Sequence, residues 1–420
     1  MTHTGRILSS VLAPALLFAS PLFAVIQGDV DKGLSGWSEK IDHVVDVKPG
    51  GMLTLETDQG DIEVESWNSD QVRVVIEKST DANNEAAARK LFAQYPVDIS
   101  QNGEGVSITA EARGLNSDES LVISTRIYVP RKYSVDVETG GGGISVEDLQ
   151  GDVTARTGGG GIKVGRIQDG SVDVRTGGGG IRIRKIQGGN GSAVTGGGGI
   201  DVGDVTGDLE VRTSGGGISV GEVGGDLIVD TAGGGIGIKD CGGSVTVETG
   251  GGGITIADAT GPVRAETGGG GIKINDIDGK VVAETGGGGI GIRSAGPIEA
   301  STGGGGIDIE DARGYIEAST GGGGIEAELS IADPNIDTHI DLSTGGGDIT
   351  LVIPGNLQAT VDAEIRLDRP KKSYEIESDF DLEIEGGRNA DELTATGDIN
   401  GGGDLIRLRT TNSNIRIERR

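Results

Sequence analysis

The sequence predicts an all-β chain: a parallel β-helix, or β-solenoid, built from 18-residue coils and capped at both ends. Three observations carry that reading: a near-constant repeat, period-two alternation of branched apolar residues, and 81 glycines against only 3% aromatic residues in 420. So little aromatic mass cannot fill a wide globular core, whereas a solenoid interior is only one or two side chains across. Collagen is excluded, because no Gly-x-y period exists and the chain has only 10 prolines.

The repeat is marked by a threonine followed by glycines, as in TARTGGGGIKVGRIQDGSVDVRTGGGGIRI. Copies begin at Thr139, Thr157, Thr176, Thr195, Thr213, Thr231, Thr249, Thr267, Thr285, Thr302, Thr320 and Thr344. The common spacing is 18, with slips of one residue and a final step of 24. A fixed period of this kind is the signature of stacked units, each unable to bury its own apolar face alone.

Within a copy, the glycines lead into Ile-x-Ile or Ile-x-Val, as in Ile162-Lys163-Val164 and Ile254-Thr255-Ile256. A second alternating pair precedes the next threonine, such as Val172 and Val174 before Thr176. This is the pattern of two short strands and two turns per coil. Stacked in register about 4.8 Å apart, twelve coils make a rod of roughly 55 Å. The glycines then fall where one strand leaves its sheet for the other, a corner needing either unusual backbone angles or close coil-to-coil approach. Cys241 takes its place in the column Leu149, Ile167, Ile186, Val205, Val223, Cys241, Ala259, Ile277, Ala295 and Ala312, which marks it as a small buried residue, not a nucleophile.

Four regions follow: 1–24 as a signal peptide, 25–138 as a β-rich cap with one short helix, 139–349 as the solenoid, and 350–420 as an irregular cap with the last coils. The signal reading rests on Arg6 before an apolar run from Ile7 to Phe23, broken by Pro14 and Pro21 and ending at the small residue Ala24; an uncleaved N-terminal anchor is the alternative. No cysteine follows for lipid attachment, and no later stretch suits a helical span, so no transmembrane span is expected after signal cleavage. The segment NNEAAARKLFAQY, residues 83–95, reads as a helix with Asn84 as N-cap and Ala88, Leu91, Phe92 and Tyr95 on one side. Near the other end, Thr410 and Ile415 repeat the marker-to-isoleucine distance.

The formal net charge is −29 with a pI near 4.4, which disfavours nucleic acid as a partner. The outward residue before each threonine runs Arg156, Arg175, Val194, Arg212, Asp230, Glu248, Glu266, Glu284, from basic to acidic along one face. Arg156, Arg175, Arg212, Glu248, Glu266 and Glu284 therefore form the candidate interaction face, although a solvated face kept polar for solubility explains the same residues. No catalytic, cofactor or metal constellation stands out, and the Gly-Gly-x-Gly-x-Asp calcium roll is not present. His43 and His339 read as isolated.

LTLETDQGDIEVESW at 53–67, the run IYVPRKYSVDVETGGGGISVEDLQGDVTARTGGGGI at 127–162, and the closing DLSTGGGDITLVIPGNL and INGGGDLIRLRTTNSNIRIE together resemble a bacterial adhesin-like family, a domain of unknown function related to the auto-transporter adhesin head. The resemblance spans roughly residues 40–420. It implies an exported protein of the periplasm or cell surface with a β-helical body and no enzymatic residues. A self-exporting autotransporter is not expected, since no run of barrel strands precedes Arg420.

Three functions compete. The first is a non-catalytic envelope or surface adhesin-like module, meeting envelope or surface proteins and glycans. The second is a periplasmic scaffold or envelope-stress sensor. The third, a polysaccharide-acting β-helix enzyme, is the weakest, because the short inter-strand segments and the 2 tryptophans and 5 tyrosines offer no framed cleft for sugar. Oligomeric state is left open.

Overall fold

The computed structural model describes residues 24–33, 36–103, 105–113, 120–333, 335–368, 374–386 and 390–420. The signal-peptide expectation lies outside these residues except for Ala24, which with Val25 forms a short strand antiparallel to Val97–Asn102. The described residues form two sheets of 20 strands each and one α-helix.

Through the repeats the strands alternate between the sheets. Each one pairs in parallel with the equivalent strand of the next copy. The first, here the threonine sheet, holds strands that end in the marker threonine, among them Leu227–Thr231, Val245–Thr249 and Val263–Thr267. In it, Val247 lies between Val229 and Ala265, and Thr249 between Thr231 and Thr267. The second, the isoleucine sheet, holds strands such as Ile236–Cys241, Ile254–Ala259 and Ile272–Ile277. Here Ile254 lies between Ile236 and Ile272. Alternating residues point inward and are buried, so that like apolar side chains stack on like along a narrow core. The fold is thus all-β, largely parallel and repetitive, of the solenoid kind.

The corners show why glycine recurs. In the run Gly250–Gly253, a Cβ on Gly252 would fall on the carbonyl oxygen of Gly234 in the preceding copy, far inside contact distance, and one on Gly250 would meet that of Ala232. For Gly251 the nearest atom is 4.0 Å away, and for Gly253 it is 3.3 Å away. None of the four has a left-handed φ, so close approach, not unusual backbone angle, is the requirement here. The first place does admit a Cβ at a cost in geometry. Ser214 and Ala232 stand there, and their N–H groups reach Thr195 and Thr213 at 3.3 Å, against 3.0 Å from Gly250 to Thr231. The third place is glycine in every copy from Gly142 to Gly347.

The marker threonine is buried and joins two copies. Thr249 Oγ1 donates to the Gly234 carbonyl at 2.8 Å and accepts from the Gly252 N–H at 3.2 Å. The same donation recurs from Thr157 to Gly142, from Thr285 to Gly270 and from Thr410 to Gly347. A half-buried corner carbonyl outside the strand ladders is satisfied in this way.

At both ends the order of strands in space departs from the order in sequence. Met52–Thr57 pairs with Ser134–Thr139 on one side and with Gly105–Ala110 on the other. Its companion Asp61–Trp67 lies between Ile144–Val146 and Val122–Pro130. The helix Glu85–Ala93 falls in this excursion; Asn84 caps it by accepting from the Ala87 N–H at 3.0 Å, and Ala88, Leu91, Phe92 and Tyr95 are buried. Lys78 is buried as well, with its Nζ 2.8 Å from Glu39 Oε2 and 3.3 Å from the Phe92 carbonyl oxygen, which ties two strands to the helix. At the other end Asp404–Thr411 stacks on Ile340–Thr344, and Ile415–Arg419 stacks on Ile349–Ile353. Ala359–Arg366, earlier in sequence, lies beyond them against Asp404–Thr411 and pairs antiparallel with Glu392–Ile399.

Two predictions follow from this packing. Ile254→Asp, which buries an unpaired charge, is expected to cost about 3 kcal/mol or more, and Thr255→Asp, one residue on and exposed, under about 0.5 kcal/mol. Comparable losses in denaturant titrations would refute the inside-outside assignment. At the corner, Gly252→Ala is expected to lower the thermal midpoint sharply, while Gly251→Ala stays within about 0.5 kcal/mol of wild type. Equal shifts would show that the contact with Gly234 does not govern the corner.

Candidate interaction face

The six charged residues singled out by the sequence come together on the outer side of the threonine sheet. Successive strand partners run Glu138, Arg156, Arg175, Val194, Arg212, Asp230, Glu248, Glu266, Glu284 and Ser301 in one unbroken column. A second outward column lies beside it: Asp136, Thr154, Asp173, Ser192, Glu210, Ile228, Thr246, Arg264, Val282 and Glu299. Both follow from strand parity, since the residues between the inward valines and threonines must face solvent.

The neighbouring column changes the electrostatics that one column alone suggests. Arg156 lies 3.5 Å from Asp136 and 3.4 Å from Asp173, Arg175 lies 3.2 Å from Asp173, and Arg212 pairs with Glu210. Arg264 pairs with Glu266 and lies 3.6 Å from Glu284. Among the described residues, neither Asp230 nor Glu248 makes an ion pair. The arginine end is therefore partly neutralised, and the sharpest unpaired charge is acidic, near the middle of the rod. Ile228, 45% exposed, adjoins it in the second column.

Shallow grooves run along this face. One of about 440 Å³ borders Glu248, Glu266 and Glu284 together with the glycine corners, and another of about 350 Å³ borders Glu284, Glu299, Glu317 and Ser343. A third, of about 550 Å³, lies away from these columns, among Asp333, Asn356, Leu357, Gln358 and Asp404 at the entries to the last strands. Among the described residues, no group of three or more His, Cys, Asp and Glu side chains is arranged to hold a metal ion, and no helix is long and apolar enough to cross a membrane.

His339, which reads as isolated in sequence, is not isolated in space. Its ring stacks on Tyr315 with centroids 4.8 Å apart; Nδ1 is 2.7 Å from Asp337 Oδ1 and Nε2 is 3.2 Å from Glu317 Oε1. Both residues precede a strand of the threonine sheet, Ile316–Thr320 and Ile340–Thr344, and so occupy one stacking position. Their spacing of 24 residues, in place of 18, hides that relation in the sequence. Partial burial works against the charged ring, but the hydrogen bonds and charges of Asp337 and Glu317 outweigh it and raise the His339 pKa.

Cys241 is buried between Val223 and Ala259, and its thiol donates to the Gly225 carbonyl oxygen at 3.2 Å. Burial pushes its pKa up, the opposite of what a nucleophile needs.

Residues 51–239 match a family model. The family is Toastrack DUF4097, and the match covers a little under half of the chain. The pairings of the Toastrack region continue without a break past residue 239, through Ile254–Ala259 and Ile272–Ile277 to Ile349–Ile353. The model's limit thus does not coincide with a boundary in the sheets. No curated protein matches the chain. Two solved structures are similar. A candidate adhesin from Bacteroides fragilis is 11% identical, with a TM-score of 0.28, over 61% of this chain and 96% of its own. A candidate cell adhesion protein from Clostridium sporogenes is 8% identical, with a TM-score of 0.17, over 91% of this chain and 100% of its own.

Two measurements check the local chemistry. Native protein is expected to resist thiol reagents at Cys241 until unfolded, and rapid labelling of the folded state would restore a reactive role. For His339, the raised folded-state pKa stabilises the fold in full below the unfolded value of about 6.5 and ceases to do so as pH rises through the folded value. His339→Gln is therefore expected to destabilise the protein at pH 5 and to lose less at pH 8, read by thermal melts; a pH-independent loss would refute the linkage.

Proposed function

We propose that this is a non-catalytic, adhesin-like structural or interaction protein, exported to the periplasm or cell surface, that meets envelope or surface proteins and glycans through the flat sides of a rod. The observation that supports this best is the outer side of the threonine sheet. Across ten strands its charged residues stand in register, with no long loop rising between them to frame a cleft. Such a surface offers repeated weak contacts over a long span, which suits adhesion or scaffolding by many small interactions.

In the finer reading, the repeats from 139 to 349 are coils of 18 residues, and the segments 25–138 and 350–420 are caps. Each excursion places strands over the open end of the stack, where unpaired N–H and C=O groups would otherwise recruit other chains. Residues 1–24 serve as the export signal. If cleavage follows Ala24, Val25 still remains to pair with Asp98.

The experiment is a pull-down from an envelope extract at low and moderate salt, comparing wild type with Arg156→Glu/Arg175→Glu/Arg212→Glu. Partners held through this column are expected to drop out of the variant's list and to weaken with salt. Identical lists from the two proteins would remove the column from the binding function, and recovery of the protein in the cytosol with its first 24 residues intact would overturn the export reading.

A further inference from the structure

The two outward columns of the threonine sheet are complementary to themselves when one is reversed, and we propose that this face binds a second copy of the chain, with the two rods antiparallel. The inference rests on reading this sheet side as an interaction face, and it names the partner.

Consider a two-fold axis that runs along the strand direction, midway between Leu209–Thr213 and Leu227–Thr231. Rotation about it lays sheet on sheet, keeps each column opposite itself and reverses its order. Arg212 then faces Asp230 of the second copy, Arg175 faces Glu266, and Arg156 faces Glu284; Val194 faces Glu248. In the neighbouring column Asp173 faces Arg264, Ser192 faces Thr246 and Thr154 faces Val282. Every one of these matches occurs twice by symmetry, as an isologous contact requires.

The existing ion pairs strengthen the match. Arg175 with Asp173, and Arg264 with Glu266, are side-by-side pairs of opposite order within one copy. Brought face to face they make an alternating square, in which each charge has an opposite charge beside it and another across from it. The unpaired acid Asp230 gains an arginine, and the two exposed Ile228 side chains meet near the axis, one strand spacing apart. The one like-charge encounter, Asp136 with Glu299, lies at the margin. There Asp136 has Arg156 at 3.5 Å and Glu299 has Lys280 at 2.5 Å. A parallel arrangement, with the two-fold along the stack, exchanges the two columns; Arg175 then faces Asp173 and Glu266 faces Arg264, but Asp230 meets Ile228, Glu284 meets Val282 and Arg156 meets Thr154, so it satisfies fewer of the charges.

Ten strands at about 4.8 Å, each about 17 Å wide, present about 800 Å² per copy, the size of a stable interface. The net charge of −29 opposes any self-association, but a Debye length of about 8 Å at 0.15 M salt confines that repulsion to close neighbours, where the contacts are attractive.

The test uses purified full-length protein at physiological salt, by sedimentation and light scattering. Wild type is expected to dimerise. Arg156→Glu/Arg175→Glu/Arg212→Glu and Asp230→Arg/Glu266→Arg/Glu284→Arg, each alone, should associate at least about tenfold more weakly, and an equimolar mixture should restore a mixed dimer, because every contact between substituted positions and their partners is then opposite in sign. For orientation, in a Cys241→Ala background, Ser192→Cys protein should form disulfides with Thr246→Cys protein and not with itself. This arm leaves all the charges in place and stands even if a charge variant folds poorly. A wild type that stays monomeric, charge variants that associate as wild type does, or self-linking of Ser192→Cys protein would each overturn the proposal. A monomer that still captures envelope partners sinks the dimer alone, whereas a dimer that captures none sinks the adhesive reading alone.

Discussion

The structure depends on the close approach of successive corners, where a threonine hydroxyl of one copy donates to a glycine carbonyl of the copy before it. That bond fixes the distance between corners, and the distance excludes a Cβ at the third glycine. The two requirements enforce each other. If the carbonyl of Gly234 moved away to admit a side chain at Gly252, it would lose the Thr249 hydroxyl and be left a half-buried acceptor without that partner. Strand register and the stacking of isoleucine on isoleucine are both consistent with holding this spacing constant. The last corner shows the rule by its exception. Thr410–Ile415 contains no glycine, and Asn412 takes a left-handed φ of 52° that redirects the chain. Ser413 fills the third place, with its hydroxyl donating to the Gly346 carbonyl oxygen at 2.7 Å.

Most of the repeat was legible in the sequence because each copy comments on the others. Cys241 could be placed by its column before any coordinates, and it lies there, between Val223 and Ala259. The helix capped by Asn84 was also legible, because its cap and its apolar side are local signals. What escaped were relations that no copy repeats. Repetition showed that the four glycines share a role but could not divide it among them, since close approach is a property of two copies and not of one. The threonine served as a marker for the period, yet its hydroxyl has a partner 14 to 21 residues earlier in most copies, beyond the reach of local pattern. His339 was missed for the converse reason: an insertion displaced it from the count that would have set it on Tyr315. The buried Lys78–Glu39 pair, 39 residues apart in a segment without repeats, left no sequence signal.

The candidate face shows both the reach and the limit of reading a column. Parity and period suffice to align Arg156 with Arg175, and Glu248 with Glu266. They say less about the field, because each charge also answers to the adjacent column. Arg175 pairs with Asp173, two residues earlier on its own strand, so a run that reads as basic is closer to neutral on the surface. Exposed pairs of this kind contribute little to stability, typically 0–1 kcal/mol, and are correspondingly free to exchange partners when another charged surface arrives. Low intrinsic worth thus leaves these side chains free to re-pair at little cost in stability.

The ends give the final step. A parallel stack cannot close on itself, so each terminal strand leaves a ladder open, and open ladders invite uncontrolled growth. In this chain the first and last turns of the stack are not its outermost strands. Met52–Thr57 has Gly105–Ala110 beyond it, and Asp404–Thr411 has Ala359–Arg366 beyond it, each supplied by an excursion that passes over the end and returns. Antiparallel partners such as Val97–Asn102 and Glu392–Ile399 then follow, so the parallel ladder gives way to a different pairing geometry at each end. The long sides, by contrast, present strands of the repeats themselves. Architecture alone thus directs attention to the sheet faces, and both carry charge in order: the isoleucine sheet stacks Arg166 on Lys185 and Asp204, and Glu222 on Asp240 and Asp258.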